Sequence, residues 1–249
     1  MRLEHATSST SDLNRRINHK GMTTIDDWEL ALDVDQVLRG QGADPQIIRE
    51  RSPNLVEIAE RAVAEGSSLL NPQLIYSRLE LESVLHERLL LSGGGELRSK
   101  LLAQHLSPAQ EVVLIVCTVG EELDSWIAEA FKSDALFALS LDGLGNAAVE
   151  DLANRACRYF EKVALDMQME TSIPLSPGMQ DWPVDHGQDQ IFGLVSAERI
   201  GVSINKSRLM SPSKSLSMAI GIGRQLVSGG RQCDYCVLSE TCRYQDHYV

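Results

Sequence analysis

Apolar residues recur every three or four positions along the longest patterned stretch of the chain, from about 134 to 167. This spacing is typical of a helix that buries one face, and its length predicts a central core helix. The same spacing predicts a shorter amphipathic helix over 53–65. A β-branched and almost continuously apolar run over 112–119 predicts a buried central strand instead.

Shorter patterns fill the remainder of the chain. Alternation places Trp28, Leu30 and Leu32 on one side of the backbone, which predicts a strand there. Prolines and glycines over 171–183 predict a rigid loop. Further strands are predicted over 74–81, 87–91, 202–204 and 216–222, and further helices over 33–39, 96–105 and 185–198.

The composition is that of an ordinary globular protein, because 43% of the 249 residues are hydrophobic and 23% are charged. This length accommodates one large domain or two small ones. Asp and Glu outnumber Lys and Arg by 35 to 23, and the formal net charge of −12 disfavours nucleic acid and anionic membrane surfaces as partners. We find no apolar stretch typical of a secretory signal or a membrane span, so we expect a reducing, cytoplasmic location.

The densest chemical signal is the spacing Cys233-x2-Cys236-x5-Cys242 near the end of the sequence, with His247 five residues further on. Two thiolates in one turn and a third close by supply most of a tetrahedral metal site, and His247 would complete it for zinc. Thiolates suit an iron–sulfur cluster as well. A redox disulfide between Cys233 and Cys236, or thiols without metal, are the other interpretations.

Three further stretches combine polar side chains with glycine or proline, and they lie at 142–150, 176–183 and 210–217. In the first, within the long predicted helix, close helix packing explains the glycines about as well as a ligand would. In the second, prolines and a glycine fix the backbone and expose amides to a polar ligand, or simply form a stiff loop. In the third, a lysine among hydroxyls suits a carboxylate or phosphate, or a solvated strand edge. Residue chemistry alone thus singles out Asp142, Lys214 and the loop amides around Gly178 as candidate ligand contacts.

The remaining cysteines and the histidines carry no comparable pattern. Cys117 and Cys157 fall in the apolar strand and the core helix, where we expect small buried apolar residues. The six histidines are scattered, and no Ser-His-Asp or Cys-His arrangement can be inferred from sequence distance. We therefore assign no catalytic residue.

Taken in order, these stretches resemble the activation domain of vitamin B12-dependent methionine synthase, and more closely the free-standing proteins built on that domain. The resemblance covers roughly residues 26–225, and its specificity lies in the collinear order of the motifs. The cysteine-bearing tail resembles an appendage that is also met in free-standing relatives. The matching pieces are Thr118-Val119-Gly120, 141–150, Ser176-Pro177-Gly178, Asp181-Trp182, Gln190-x-Phe192-Gly193-Leu194, Ile200-Gly201-Val202 and 212–217.

The resemblance implies an α+β fold in which helices flank a twisted, mainly antiparallel sheet. The activation-domain-like unit is expected over 26–228. A polar stretch without periodicity predicts a flexible tail over 1–25, and the cysteine spacing predicts a metal-binding tail over 229–249. The resemblance also implies that S-adenosylmethionine (SAM) binds over the cobalamin of a partner. There, an electron plus the SAM methyl group returns inert cob(II)alamin to methylcobalamin, while the domain positions the reacting groups.

The family's SAM-binding loop matches Gly178 and its neighbours. Together with the residue chemistry, the resemblance implies a set of ligand contacts made of Asp142, Asn146, Ser176, Pro177, Gly178, Met179, Lys214 and Ser215. Three positions depart from the family pattern. Asn146 stands where the family has a carboxylate, Pro174 where it usually has an arginine, and Met179 where it has a tyrosine. An arginine would hold the carboxylate of SAM through a bidentate pair, which proline cannot form. The loss of one charge-assisted contact lowers an affinity by roughly ten- to a hundredfold.

Three functions are compatible with these observations. The first is a reactivation or accessory protein for a corrinoid-dependent methyltransferase, which uses SAM and an electron donor. The second is a SAM-independent docking or electron-transfer scaffold for a corrinoid protein, with a metal or iron–sulfur site in its tail. The third is an interaction protein unrelated to cobalamin, in which zinc only stabilises the tail.

Overall fold

The computed structural model describes residues 16–17, 21–226 and 232–235. Helices and strands alternate irregularly along this part of the chain. The α-helices are α1 (Val34–Gly40), α2 (Pro45–Arg51), α3 (Pro53–Gly66), α4 (Lys100–Leu106), α5 (Glu122–Ala130), α6 (Ala135–Asp166) and α7 (Val184–Leu194). The strands are β1 (Arg16–Ile17), β2 (Met22–Ile25), β3 (Gln73–Leu85), β4 (Arg88–Leu91), β5 (Gly95–Arg98), β6 (Glu111–Thr118), β7 (Glu170–Thr171), β8 (Ser203–Ile204), β9 (Met210–Ser211) and β10 (Ser215–Gly223).

An antiparallel sheet in the order β1-β2-β3-β6-β10-β7 organises the molecule, and β4 and β5 extend it from one end of β3. Strand β6 lies at its centre, because Ile115 is paired with Tyr76 of β3 on one side and Met218 of β10 on the other. Seven of the eight residues of β6 are buried, as predicted for a central strand. The predicted α+β fold, with helices flanking an antiparallel sheet, is confirmed.

Alternating side chains of β6 bury an apolar cluster on each face of the sheet. Ile115 packs with Leu152 and Phe160 of α6 on one face. Leu114, on the other face, belongs to the cluster that α4, α7 and Trp182 complete. The predicted central core helix is therefore α6, which α1, α3 and α5 also contact. None of the described helices is both long and apolar enough to cross a bilayer.

Two glycines allow α1 to approach α6 at backbone distance. A Cβ atom on Gly40 would overlap the carbonyl oxygen of Gly143, and one on Gly143 would lie 2.7 Å from the carbonyl oxygen of Val37. Asn146 also donates its side-chain N–H to the carbonyl oxygen of Gly40 at 2.9 Å. Close helix packing thus accounts for Gly143, and it sets the position of the first half of α6.

Replacing Gly40 by alanine is expected to destabilise the protein by about 2 kcal/mol or more, because the obstructing atoms belong to a backbone that cannot rotate away. Gly193 is the matched control, since it lies in α7 and a Cβ there would meet no atom within 4 Å. Gly193→Ala is expected to stabilise by about 0.5–1 kcal/mol. Urea denaturation measures both, and effects of the same sign would contradict the close-approach interpretation.

Four expectations from the sequence differ from the structure. The helix predicted over 185–198 ends with α7 at Leu194, and Ala197–Ile200 forms a separate 3₁₀ helix. Residues after Ile25 form no strand, because β3 begins at Gln73 and leaves them no neighbour to pair with, although Trp28 still packs on the α6 cluster. The predicted helix over 96–105 divides into β5 and α4, with Ser99 as the N-cap of α4. Strand β2 lies within the 1–25 segment that was predicted to be a flexible tail. The other domain boundaries stay predictions.

Candidate functional site

A cavity of about 130 Å³ opens between α6, β10 and the loop that precedes α7. Side chains of β10 alternate between the two faces of the sheet. Leu216 and Met218 therefore both face α6 and line the cavity, whereas Ser217 bonds to Gln188 of α7 on the opposite face. The residues that line it are Glu150, Ala153, Asn154, Cys157, Ser176, Leu216 and Met218.

A buried lysine forms a polar cluster further along the same side of α6. The Nζ of Lys214 donates to Oδ1 of Asp142 at 2.7 Å and to Oδ1 of Asn146 at 2.8 Å. Lys214 is only 7% exposed, whereas the Asp142 side chain is 42% exposed. The ammonium is thus removed from water and neutralised by a carboxylate that still faces solvent.

Glycine at 145 provides the space for this lysine. A Cβ atom on Gly145 would lie 2.9 Å from Cγ of Lys214 and 3.0 Å from Cδ2 of Leu123. The backbone next to Lys214 is also fixed, because its carbonyl oxygen accepts from the amide of Val119 at 3.1 Å. Val119, the residue that follows β6, therefore helps to hold Lys214 in position against α6.

The loop over 176–182 is closed by its own hydrogen bonds. The amide of Gly178 donates to the carbonyl oxygen of Trp182 at 2.8 Å, and the amide of Met179 donates to that of Ser176 at 3.2 Å. Gly178 adopts a φ of 101°, which favours glycine. The sequence predicted that the loop exposes its amides to a ligand. The amides of Gly178 and Met179 instead donate to carbonyl oxygens within the loop, so that prediction is wrong for these two.

Trp182 anchors this loop in the core. Its side chain is completely buried, and its indole N–H donates to Oε1 of Gln190 at 3.2 Å. Gly187 of α7 makes room for the ring and for Pro177, since a Cβ there would lie 3.0 Å from the indole. The loop is therefore held on the core by a buried side chain and a hydrogen bond, and its rigidity stays a prediction.

The structure brings together four of the eight predicted ligand contacts along one side of α6. Asp142, Asn146 and Lys214 form the polar cluster, and Ser176 lines the cavity. The other four face elsewhere: Pro177 contacts α7, Gly178 lies against Val184, Met179 packs on the opposite apolar cluster, and Ser215 donates to the carbonyl oxygen of Pro212. Their assignment as ligand contacts stays a prediction.

Sequence reasoning missed the α6 residues that line the cavity. Glu150 and Asn154 continue the four-residue spacing of Asp142 and Asn146, so one face of α6 carries all four. Extending that spacing from the two predicted residues would have found them. Leu216 and Met218 likewise follow Lys214 at the two-residue period of a strand.

Both described cysteines of the core are poor nucleophiles. Burial raises the pKa of Cys117 to about 12, and burial together with the charge of Glu161 raises that of Cys157 to about 12. Both thiols are therefore protonated at neutral pH. Cys117 is buried as expected, whereas Cys157 is partly exposed at the cavity.

The predicted metal ligands fall largely outside the described residues. Cys233 lies in a short 3₁₀ helix, Gln232–Tyr235, but its side chain is not described. Cys236, Cys242 and His247 lie outside the described residues. Among the residues that are described, no group of three or more His, Cys, Asp or Glu side chains could hold a metal ion. The metal site in the tail stays a prediction.

Comparison with known proteins bears on the fold. No protein-family model matches the chain, and no curated protein matches it either. Among solved structures, the crystal structure of the MetH reactivation domain bound to AdoHcy superposes with a TM-score of 0.62. The match is 15% identical in sequence and covers 86% of this chain and 82% of that one. The resemblance to the methionine synthase activation domain is thus confirmed at the level of the fold.

Proposed function

We propose that the protein is an accessory protein of a corrinoid-dependent methyltransferase, and that the cavity between α6 and β10 is where it takes an S-adenosyl ligand. The observation that carries this proposal is the fold shared over 86% of the chain with a reactivation domain that binds AdoHcy. The cavity supports it, because it lies beside the loop and the helix that the sequence motifs pointed to.

The polar cluster offers the negative charge that the amino-acid end of SAM requires. Asp142 presents a half-exposed carboxylate to the ammonium group of the ligand. Lys214 is buried, and its Nζ already donates to Asp142 and Asn146. It would therefore supply the positive charge that is missing at position 174 only by exchanging one of these bonds for the ligand carboxylate. Glu150 and Asn154 lie further along the same helix face, where the cavity would take the rest of the ligand.

The proposed chemistry needs positioning rather than a catalytic side chain. An external one-electron donor would reduce the partner's cob(II)alamin, the cobalt would then accept the methyl group from the sulfur of SAM, and S-adenosylhomocysteine would leave. This chain would hold the donor sulfur at the right distance and exclude water from the path.

Exposed apolar residues support partner docking at the start of α6. Leu136 and Leu139 are 49% and 50% exposed, and Phe131, just before α6, is 49% exposed. Leu139 lies seven residues before Asn146, so the two share one face of the helix. A partner that covers these side chains would lie directly beside the polar cluster.

A reactivation assay tests the proposal. The cobalamin domain of a methionine synthase is prepared as cob(II)alamin with a one-electron donor and SAM, and methylcobalamin is followed by its absorbance. We expect its formation to depend on this protein and to be lost with Ser176→Tyr, which fills the cavity. Ser83→Tyr, at an exposed serine of β3 outside the cavity and the docking residues, is the matched control and should keep the activity. Equal rates with and without the protein would contradict the proposal.

A second function, the SAM-independent docking scaffold, is favoured by the size of the cavity. Its volume of about 130 Å³ is below the roughly 300–1,000 Å³ of typical small-molecule sites. The loop amides that bond within the protein, and the proline at position 174 in place of an arginine, also favour a function without SAM. A scaffold would bind the corrinoid protein equally well with and without SAM, which separates it from the first function.

The cysteine tail would serve either function as a metal centre, and its ligands can be tested directly. Replacing Cys233 or Cys236 by serine in the full chain, purified without oxygen, is expected to remove most of the bound metal because each replacement deletes a thiolate ligand. Cys157→Ser is the control that should retain it. Visible absorbance would identify an iron–sulfur cluster, whereas zinc is colourless. Unchanged metal content in both variants would contradict the ligand assignment.

A further inference from the structure

A cleft of about 690 Å³ lies between α1 and α2, apart from the cavity beside β10. Its volume falls within the roughly 300–1,000 Å³ of typical small-molecule sites. The turn over 41–44 closes one end of the cleft, where Gly42 adopts a φ of 76° and reverses the chain between the two helices. Its lining includes two arginines, two aspartates and a glutamine, so a ligand of this cleft is polar.

The two arginines of the cleft come from different helices. Arg39 lies in the last turn of α1, and Arg49 lies in the last turn of α2. Arg49 forms an ion pair with Asp35, which lies one turn before Arg39 on the same face of α1. The side chains of this pair are 49% and 37% exposed, so Arg49 can exchange its partner at little cost. Arg39 forms no ion pair with any carboxylate of the described residues.

The other carboxylate of the cleft already serves a structural purpose. Oδ1 of Asp44 accepts from the amide of Gln46 at 2.9 Å and from that of Ile47 at 3.2 Å, so it caps the start of α2. These N–H groups offset part of its negative charge. The chain as a whole carries a formal charge of −12 and repels anions, whereas this cleft presents two guanidinium groups.

We propose that the cleft between α1 and α2 binds a small polar oxyanion, a phosphate compound or a polycarboxylate, between Arg39 and Arg49. Guanidinium groups hold such oxygens through paired N–H donors. On binding, the anion takes Arg49 from Asp35 and engages Arg39. None of the described residues that line the cleft is aromatic, so nothing there would stack on a nucleobase. The inference does not rest on the proposed function, because this site requires neither SAM nor a corrinoid partner.

Calorimetric titration of the full-length protein with sodium pyrophosphate tests this site, and citrate replaces pyrophosphate in a second titration. Sodium chloride holds the ionic strength constant, because salt screens exposed charges. We expect binding to the wild type that weakens about tenfold in Arg39→Gln, which loses a charge-assisted contact. Arg51→Gln is the matched control and should bind as the wild type does. Arg51 is an exposed arginine of α2 that does not line the cleft.

Asp35→Asn is expected to change the affinity in the opposite direction. It releases Arg49 from its ion pair, so the anion should bind about threefold tighter or more. A purely structural role of Asp35 and Arg39 would not give these opposite effects. Tighter binding of pyrophosphate than of citrate assigns a phosphate compound, and the reverse assigns a polycarboxylate. No heat of binding with either probe at millimolar concentration overturns the proposal, as does equal affinity in Arg39→Gln and Arg51→Gln.

Discussion

Replacing Trp182 by alanine is expected to destabilise the protein by about 3–5 kcal/mol, the range for loss of a fully buried large aromatic side chain. The ring is completely buried within the cluster on the α7 side of the sheet, and its N–H bonds to Gln190. The change leaves a large void and also frees the loop whose backbone Trp182 closes. Chemical denaturation measures the loss, and hydrogen exchange over 176–182 should rise with it.

Two further variants serve as references for the stability loss in Trp182→Ala. Leu165→Ala removes an apolar side chain that is 72% exposed, and its effect should stay within about 0.5 kcal/mol. Trp182→Phe keeps most of the ring volume and should fall between the two. If Trp182→Ala destabilised the protein no more than Leu165→Ala, the loop would not depend on this anchor.

Replacing Asp142 by alanine is expected to destabilise the protein by about 2–3 kcal/mol, because it leaves the buried ammonium of Lys214 without its counter-ion. The loss is smaller than the ~3–5 kcal/mol of a fully buried broken pair, since Asn146 still accepts from Lys214. The reverse change, Lys214→Met, should have a smaller effect because the Asp142 carboxylate remains half exposed to water.

The double variant Asp142→Ala/Lys214→Met decides the cause of this effect. With both charges removed, no ion is left buried, and most of the stability lost in Asp142→Ala should return. Thermal and urea denaturation of the four proteins complete the cycle. A double variant no more stable than Asp142→Ala would show that lost packing, rather than the stranded charge, destabilises the single variant.

The strongest periodic patterns predicted their elements closely. The helix expected over about 134–167 is Ala135–Asp166, and the central strand expected over 112–119 is Glu111–Thr118. Both elements pack on apolar neighbours along their whole length, so the pattern and the tertiary structure agree. The prediction of a single helix over 96–105 was wrong. Leu97, Leu101 and Leu102 have helical spacing, but Leu97 lies in β5 and only the other two lie in α4.

The site was predictable only within each element. Asp142 and Asn146 share a helix face by their spacing of four, which the sequence contains. Lys214 lies 72 residues from Asp142 along the chain, and the two meet because β10 pairs with β6 and α6 packs on these strands. The loop amides were expected to be available, but Gly178 donates inward to Trp182, and residue types alone do not indicate the direction of a backbone N–H.

The most direct measurement is a calorimetric titration of the full-length protein, purified without oxygen, with SAM. We predict binding at micromolar strength that is abolished in Ser176→Tyr, where the new ring fills the cavity, and is retained in the control Ser83→Tyr. No heat of binding up to millimolar SAM, or equal affinity in Ser176→Tyr, would contradict an S-adenosyl site between α6 and β10. The docking scaffold, with its cysteine tail as the active part, would then describe the protein better.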